Sequence, residues 1–109
     1  MKKFSAHWKS STKPRKQRKY RFTAPLHTRQ KFAGVHFSKE LRVKFKSRGM
    51  AVRKGDRVKV MRGSFKRHEG KVESVDLKRI RIFVNGVEAT KKDGSKRMIP
   101  LHPSNLMIV

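Results

Sequence analysis

The chain has 109 residues, no cysteine and a formal net charge of +24, from 31 Lys and Arg against 7 Asp and Glu. This composition excludes disulfides and thiolate metal sites. With so few acidic residues, no nucleophile–base constellation and no phosphate-cradling Gly-rich motif, we expect no catalytic residues and no enzyme activity. A charge of this size opposes compaction, so we expect a large polyanionic partner; nucleic acid fits best because phosphate contacts release counterions.

An anionic membrane surface is the rival partner. It requires a long basic amphipathic helix or a lipid anchor, and the sequence contains neither. No apolar run approaches the ~18 residues of a transmembrane helix, and no apolar segment follows the N-terminal charges as it would in a signal peptide. The five histidines lack ligand spacing. We therefore expect no membrane partner, no small-molecule substrate, no cofactor and no metal.

Aliphatic residues and charge divide the chain near residue 51. Residues 1–51 contain four Val, Ile and Leu with a net charge of +15, whereas residues 52–109 contain fifteen with a net charge of +9. A core can therefore form mainly in the second part, and a domain of about 60 residues is marginal but viable. We predict a basic RNA-binding extension with short helices over 1–51 and a β domain over 52–109.

Three short helices are predicted in the extension. Their starts are marked by Thr12 before Pro14, by Ala24-Pro25 and by Ser38. The third helix would place Leu41 and Phe45 on one face and end at Gly49. Their apolar stripes are thin, so we expect these helices to pack on the β domain or on RNA.

The second part is rich in short segments where apolar and charged residues alternate, which is typical of half-buried strands. The predicted strands are Arg57–Met61, Lys71–Asp76, Arg79–Val84, Val87–Thr90, Lys96–Leu101 and Leu106–Val109. Asn85-Gly86 predicts a type I′ hairpin and Asp93-Gly94 a further turn. A turn is also expected around Pro103, which cannot pair in a ladder. So many short strands in fewer than 60 residues indicate a mainly β chain that closes into a small, strongly bent barrel.

A basic loop joins the first two predicted strands. It is bracketed by Gly63 and Gly70, and its basic side chains are Arg62, Lys66, Arg67, His68 and Lys71. A β scaffold that holds out such a loop is a common way to present cations to a phosphate backbone.

Two parts of this region resemble a KOW motif. They are Val52-Arg-Lys-Gly-Asp-Arg-Val-Lys-Val-Met-Arg-Gly63 and Phe65-Lys-x-x-Glu-Gly-Lys-Val72. That motif lies in SH3-like barrels of ribosomal proteins and of transcription elongation factors of the NusG class. The resemblance implies that the predicted barrel is SH3-like. One position departs from the usual pattern: Arg67 stands where a glycine follows the loop lysine, and glycine there permits a positive φ or a close backbone approach.

The flanking segments narrow the resemblance. They are Lys16-Gln-Arg18, Ala24-Pro-Leu-His-x-Arg29, Ser38-Lys-Glu-Leu-Arg42, Arg48 and Leu101-His-Pro-Ser104. Together they are similar to the large-subunit ribosomal protein family L-twenty-four in its archaeal form, whose eukaryotic counterpart is called L-twenty-six. The similarity extends from about Pro14 to Val109.

The resemblance implies a structural component of the large subunit of cytoplasmic ribosomes. Such proteins bind large-subunit ribosomal RNA, act early in assembly and lie near the exit of the nascent-chain tunnel beside neighbouring ribosomal proteins. On this hypothesis the loop contacts phosphates or sugars through Arg62, Ser64, Lys66, Arg67, His68 and Lys71. The extension contacts RNA through Lys13, Arg15, Lys16, Arg18, Lys19, Arg21 and Arg29. Trp8, Tyr20 and Phe22 are candidates for stacking on unpaired bases, although a single aromatic residue more often fills a protein crevice.

Other interpretations use the same features. A transcription-elongation or antitermination module would need a further globular domain to grip polymerase, and residues 1–51 contain too few aliphatics to build one. A DNA-compacting protein would need a dimer interface or groove-inserting arms, and neither is evident. At the simplest, the loop cations are a solvated face and residues 13–21 are a solubilising tail.

Overall fold

The computed structural model describes residues 10–109, so the stacking prediction for Trp8 lies outside the described residues. The helices are α1 (Pro14–Thr23), α2 (Leu26–Phe32) and α3 (Lys39–Phe45), and Pro103–Asn105 forms one turn of 3₁₀ helix. The strands are β1 (Gly34–Phe37), β2 (Gly49–Ala51), β3 (Arg57–Val60), β4 (Glu69–Asp76), β5 (Arg81–Val84), β6 (Glu88–Thr90), β7 (Lys96–Met98) and β8 (Leu106–Ile108). All six strands predicted in the second part are confirmed, each with ends within about three residues of the prediction.

Six strands form one mixed sheet in the order β2-β1-β8-β3-β4-β5. Strand β1 runs parallel to β8, and the other neighbours are antiparallel. Strands β6 and β7 pair with each other as a separate antiparallel hairpin. The prediction of a mainly β chain is therefore confirmed.

The prediction that the strands close into a barrel is wrong, because the described strands form an open sheet. The strand order ends at β2 and β5, which do not pair with each other. After β5 the chain leaves the sheet to form the β6–β7 hairpin. Beyond β7, the chain is joined to β5 through a bridge between Ile82 and Leu101, in which the N–H of each residue donates to the carbonyl oxygen of the other at 2.9 Å. A bulge between Val72 and Ser74 bends β4 without completing a ring.

The turn at Asn85-Gly86 differs from the predicted one, and β6 does not pair with β5. Gly86 has φ +88, but Asn85 is not among the described non-glycine residues with positive φ. A type I′ turn needs positive φ at both central positions. The predicted type I′ hairpin is therefore wrong, although Val87 N does close a turn on the Val84 carbonyl oxygen at 3.2 Å. The turn predicted at Asp93-Gly94 is confirmed, with Gly94 at φ +89.

The core is built from the inward side chains of the sheet, where burial alternates as the period-2 pattern predicts. Its buried members are Val35, Phe37, Val52, Val58, Val60, Val72, Ile82, Val84, Val87, Leu106 and Ile108. Two of them, Val35 and Phe37, come from β1. Strands β1 and β2 thus lie inside the range 1–51 that the composition assigns to the extension, and the division of the chain at residue 51 stays a prediction.

The helix boundaries follow the sequence signals only in part. Lys13, not Thr12, is the N-cap of α1, whereas Ser38 occupies the N-cap of α3 as predicted, without a capping side-chain bond. Helix α3 ends at Phe45 with Lys46 in the left-handed conformation, φ 51, rather than at Gly49. Gly49 instead begins β2, where an added Cβ would lie 2.9 Å from the Cα of His36.

Candidate nucleic-acid interface

The connection between β3 and β4 is a compact basic loop, which we call the tip loop and define as Arg62–His68. Two backbone hydrogen bonds close its base. Arg67 N donates to the Val60 carbonyl oxygen, and Val60 N donates to the His68 carbonyl oxygen, both at 2.8 Å. Two further turn-type bonds fold its interior. The loop is therefore a structured turn rather than a loose connection.

The tip loop is anchored by its aromatic residue. Phe65 is half-buried and packs against the hydrophobic core. With Phe65 held inward, the polar side chains on either side remain exposed; these are Arg62, Ser64, Lys66 and Arg67. The structure thus brings together four of the six loop residues predicted to contact RNA.

Arg67 has a backbone conformation that favours glycine. Its φ is 74, in the left-handed region that residues with a Cβ occupy at a cost. This is the position where the family pattern usually has glycine. The loop therefore has a left-handed residue there, and the arginine adds an exposed cation to it.

His68 supports the base of the tip loop and does not belong to its exposed end. It is half-buried, and its Nε2 lies 3.0 Å from the Asn85 carbonyl oxygen. A carbonyl can only accept, so Nε2 carries the proton and donates. The imidazole also covers Gly86, where an added Cβ would lie 2.8 Å from the ring. His68 therefore joins the tip loop to the turn after β5.

Lys71 lies in β4, three residues beyond the tip loop. It is exposed and sits opposite Arg57 in the ladder. Glu69, two residues earlier on the same face, makes an ion pair with Arg57 at 3.2 Å. Lys71 thus belongs to a face of mixed charge rather than to the exposed cations of the tip.

Helix α1 carries a second basic surface. Arg15, Arg18, Lys19 and Phe22 follow the i, i+3, i+4, i+7 spacing and so share one face, which we call the α1 outer face. All four are exposed, Phe22 to 72%. Tyr20 points away from this face and packs against Phe32, with ring centroids 5.9 Å apart. Of the two described stacking candidates, Phe22 is thus available to a partner, and Tyr20 fills a protein crevice.

The remaining cations of α1 flank this outer face. Lys13 forms the N-cap, and Lys16 and Arg21 are exposed along the helix. The pKa of His102, which precedes the 3₁₀ turn, is lowered first by burial, then by the charge of Arg81 and then by the charge of Arg21. The end of α1 therefore lies near the β domain.

Arg29 fixes the joint between α1 and α2. Its guanidinium donates to three carbonyl oxygens: Nε to Ala24 at 2.9 Å, Nη2 to Phe22 at 2.5 Å and Nη1 to Lys78 at 2.7 Å. Lys78 lies in the turn between β4 and β5. This residue, predicted from the sequence to contact RNA, makes its described contacts within the protein and ties α1 to the sheet.

The β6–β7 hairpin carries exposed cations that the sequence reasoning missed, namely Lys91, Lys92, Lys96 and Arg97. The sequence feature that could have indicated them is the pair Lys91-Lys92 beside the predicted turn at Asp93-Gly94. Asp93 lies among them, and its Oδ1 accepts hydrogen bonds from the Ser95 hydroxyl at 2.7 Å and the Ser95 amide at 2.9 Å. These bonds, the hydroxyl first, lower the pKa of Asp93.

Residues 10–109 contain no group of three or more His, Asp and Glu side chains that could hold a metal ion. In the same range no helix is long and apolar enough to cross a membrane. The ion pairs recorded there are Arg57–Glu69 and Lys96–Glu88, the latter at 3.9 Å, and both are largely exposed. Exposed pairs of this kind contribute little, so most of the positive charge remains available to a partner.

This chain is similar to known proteins over most of its length. The family model described as ribosomal proteins L-twenty-six of eukaryotes and L-twenty-four of archaea matches residues 11–109. The large ribosomal subunit protein uL24 of Methanosphaera stadtmanae is 52% identical over 98 residues, which cover 90% of this chain and 84% of that protein. The family-model match over residues 11–109 includes α1, the tip loop and the whole sheet.

Proposed function

The chain belongs to the ribosomal protein family called L-twenty-six in eukaryotes and L-twenty-four in archaea, and from this premise we propose that it binds large-subunit ribosomal RNA through the tip loop and the α1 outer face. Membership confirms the resemblance found in the sequence. The chain is a structural ribosomal protein of the large subunit rather than an enzyme, and it resides in the ribosome in the cytoplasm.

The observation that carries the proposal is the anchored tip loop. A half-buried aromatic residue and backbone bonds to β3 hold the loop in one conformation, with Arg62, Lys66 and Arg67 exposed. Cations on a rigid turn lose less conformational freedom when they meet phosphates than cations on a mobile chain. Contacts of this kind position a protein on RNA without reading its sequence.

The two basic surfaces lie toward opposite ends of β4. The tip loop precedes Glu69, whereas Arg29 attaches the α1–α2 joint to the turn just after Asp76. Eight residues at about 3.3 Å each separate these points by at most about 25 Å along the strand. The protein therefore grips RNA at two separated places and holds them together, with the α1 outer face as the second grip.

The finer details of the function belong to the same proposal. We infer an SH3-like arrangement for the strands from β3 onward, opened rather than closed, because the KOW-like motif spans β3, the tip loop and β4. Family membership also supports action early in assembly, a position near the exit of the nascent-chain tunnel and contacts with neighbouring ribosomal proteins. Lys13, Lys16, Arg21 and Lys71 extend the interface, while Arg29 and His68 position it.

Co-sedimentation through a salt gradient tests this function against its rivals. The protein is expected to remain with large ribosomal particles at moderate salt, because many phosphate contacts act together. If it leaves those particles and follows RNA polymerase, the transcription-factor interpretation is correct. If it follows nucleoid DNA, the DNA-compacting interpretation is correct.

A further inference from the structure

An open groove of about 710 Å³ runs between α2 and strand β2. Its walls and floor are formed by side chains that include His27, Lys31, His36, Arg48, Met50 and Ser104. This volume is within the range of about 300–1,000 Å³ that small-molecule sites occupy. None of the described residues that line the groove is acidic.

The floor of the groove is apolar and accessible. Met50 is 46% exposed on the edge strand β2, and Gly34 and Ala51, which form the next pair of the ladder and face the other way, add little or no side chain to the lining. An exposed thioether is a polarisable surface that packs well against an aromatic ring. Such a floor suits a planar ligand better than a sugar or a free phosphate.

The rim of the groove is cationic. His27 and Lys31 are four residues apart on α2 and so share one face, while Arg48 approaches from the segment between α3 and β2. Lys31 and Arg48 carry fixed positive charge beside the apolar floor. A ligand that combines a planar apolar ring with a phosphate matches both features.

The groove also offers hydrogen-bonding groups for the edge of a ring. Val52 N donates to the Ala33 carbonyl oxygen at 3.3 Å and Phe37 N to that of Arg48 at 2.9 Å. By the alternation of an antiparallel ladder, Gly49 and Ala51 then direct their N–H and C=O groups away from β1. The Gly49 carbonyl oxygen already accepts from the Ser47 hydroxyl at 3.2 Å, so the Gly49 and Ala51 N–H groups are the ones offered here. His36 adds an imidazole to the lining. Burial lowers its pKa, and the charges of Arg42 and Arg48 lower the pKa further. A neutral imidazole both donates and accepts.

We propose that the groove between α2 and β2 binds the base of an unpaired nucleotide extruded from the RNA, with Lys31 and Arg48 on its phosphate. This site deepens the proposed function and rests on it, because the nucleotide belongs to the RNA that the tip loop and α1 hold. Single-stranded loops and bulges are the parts of RNA whose bases are free to be splayed out and stacked. The site would let the protein contact an unpaired base, whereas the rest of the proposed interface contacts the RNA backbone.

NMR of the full chain tests the groove with a simple probe. Adenosine 5′-monophosphate and guanosine 5′-monophosphate are titrated separately, and inorganic phosphate is titrated at the same ionic strength. The expected result is saturable shifts of the Gly49 and Ala51 amides and of the His36 C2–H with the mononucleotides. Phosphate should produce clearly smaller shifts, because it lacks the ring.

Matched variants separate a site from general charge. Arg48→Gln and Met50→Glu should weaken mononucleotide binding by at least about fivefold, while Lys44→Gln, an exposed cation outside the groove, should change it less than about twofold. Equal shifts with phosphate alone, shifts confined to the tip loop, or no saturable shift would each overturn the groove. Binding of the wild-type chain to large-subunit RNA is measured in parallel. A protein that binds that RNA but shows no groove shifts refutes this site alone, and one that binds no RNA refutes both proposals.

Discussion

At the scale of single residues, Arg67 shows how one position can serve binding at a cost to stability. Its φ of 74 lies in a region where a Cβ approaches the neighbouring carbonyl. Arg67 N nevertheless bonds the Val60 carbonyl oxygen at 2.8 Å, so the tip loop depends on this conformation. A cation at the tip has therefore replaced the residue that would adopt the conformation most readily.

Arg67→Gly is expected to raise the free energy of unfolding by about 1 kcal/mol while it weakens RNA binding. Urea denaturation of the free protein measures the first effect. Arg67→Ala is the matched control, because it removes the same charge but keeps a Cβ at positive φ. A glycine variant no more stable than the alanine variant would contradict the account of strain.

The stability of the free protein should fall as the pH drops from about 7.5 to 5.5. Burial, followed by nearby arginines, lowers the pKa of His36 and His102 from the ordinary value of 6.5. Between the lowered pKa and 6.5 the unfolded chain binds more protons, so acidification favours unfolding. Urea unfolding at both pH values checks this, and the double variant His36→Gln/His102→Gln should show a smaller difference. A protein that gains stability on acidification would oppose this interpretation.

At the scale of elements, the tip loop and α1 are held by different means. The loop is anchored by Phe65, which packs against the core, and by His68, which bonds the Asn85 carbonyl oxygen. Helix α1 has no buried residue, and its position depends on Tyr20 against Phe32 and on the three bonds of Arg29. The loop should therefore be preformed before binding, while α1 is the less stable grip.

Reversing the loop charges with Lys66→Glu/Arg67→Glu should weaken binding to large-subunit RNA and flatten its salt dependence. If both cations contact phosphates, the slope of log K against log salt should lose about 2, close to 0.9 for each contact. Lys39→Glu/Lys44→Glu on α3 reverses the same number of charges outside both basic surfaces. Equal slopes for the loop variant and the wild type would remove the tip loop from the interface.

Arg29→Lys should loosen α1 without disturbing the sheet. Lysine keeps the charge, but its single ammonium cannot reach the three carbonyls that the guanidinium fork serves. Amide hydrogen exchange in residues 18–23 should accelerate on the order of tenfold, with β3 and β4 unchanged. Unchanged exchange in α1 would show that the Arg29 bonds do not hold the helix.

At the scale of the whole molecule, local patterns predict the elements better than their assembly. The alternation around Val58 and Ile82 locates strands because period-2 burial is a local property. Strand β1 was not predicted, because its parallel pairing with β8 joins residues that lie far apart in the sequence. The departure from the predicted barrel likewise involves the backbone conformation of Asn85 and the pairing of β6 with β7. The alternation of apolar and charged residues predicts neither of them.

The candidate interface divides in the same way. Exposed loop cations could be predicted because Gly63 and alternating strands mark the turn. The positioning roles of Arg29 and His68 could not, because their partners Lys78 and Asn85 lie 49 and 17 residues away. A side chain used within the fold is indistinguishable by sequence from one aimed at RNA.

The measurement that tests the central claim most directly is photo-crosslinking in intact ribosomes and total cellular RNA, with a photoreactive amino acid placed singly at Ser64 in the tip loop or at Arg18 on the α1 outer face. We expect both positions to crosslink large-subunit ribosomal RNA at two separate sites, while the same group at Val43, which is 80% exposed on α3, gives weaker or no RNA crosslinks. Crosslinks from Ser64 and Arg18 to protein only, or to RNA other than that of the large subunit, would contradict the account.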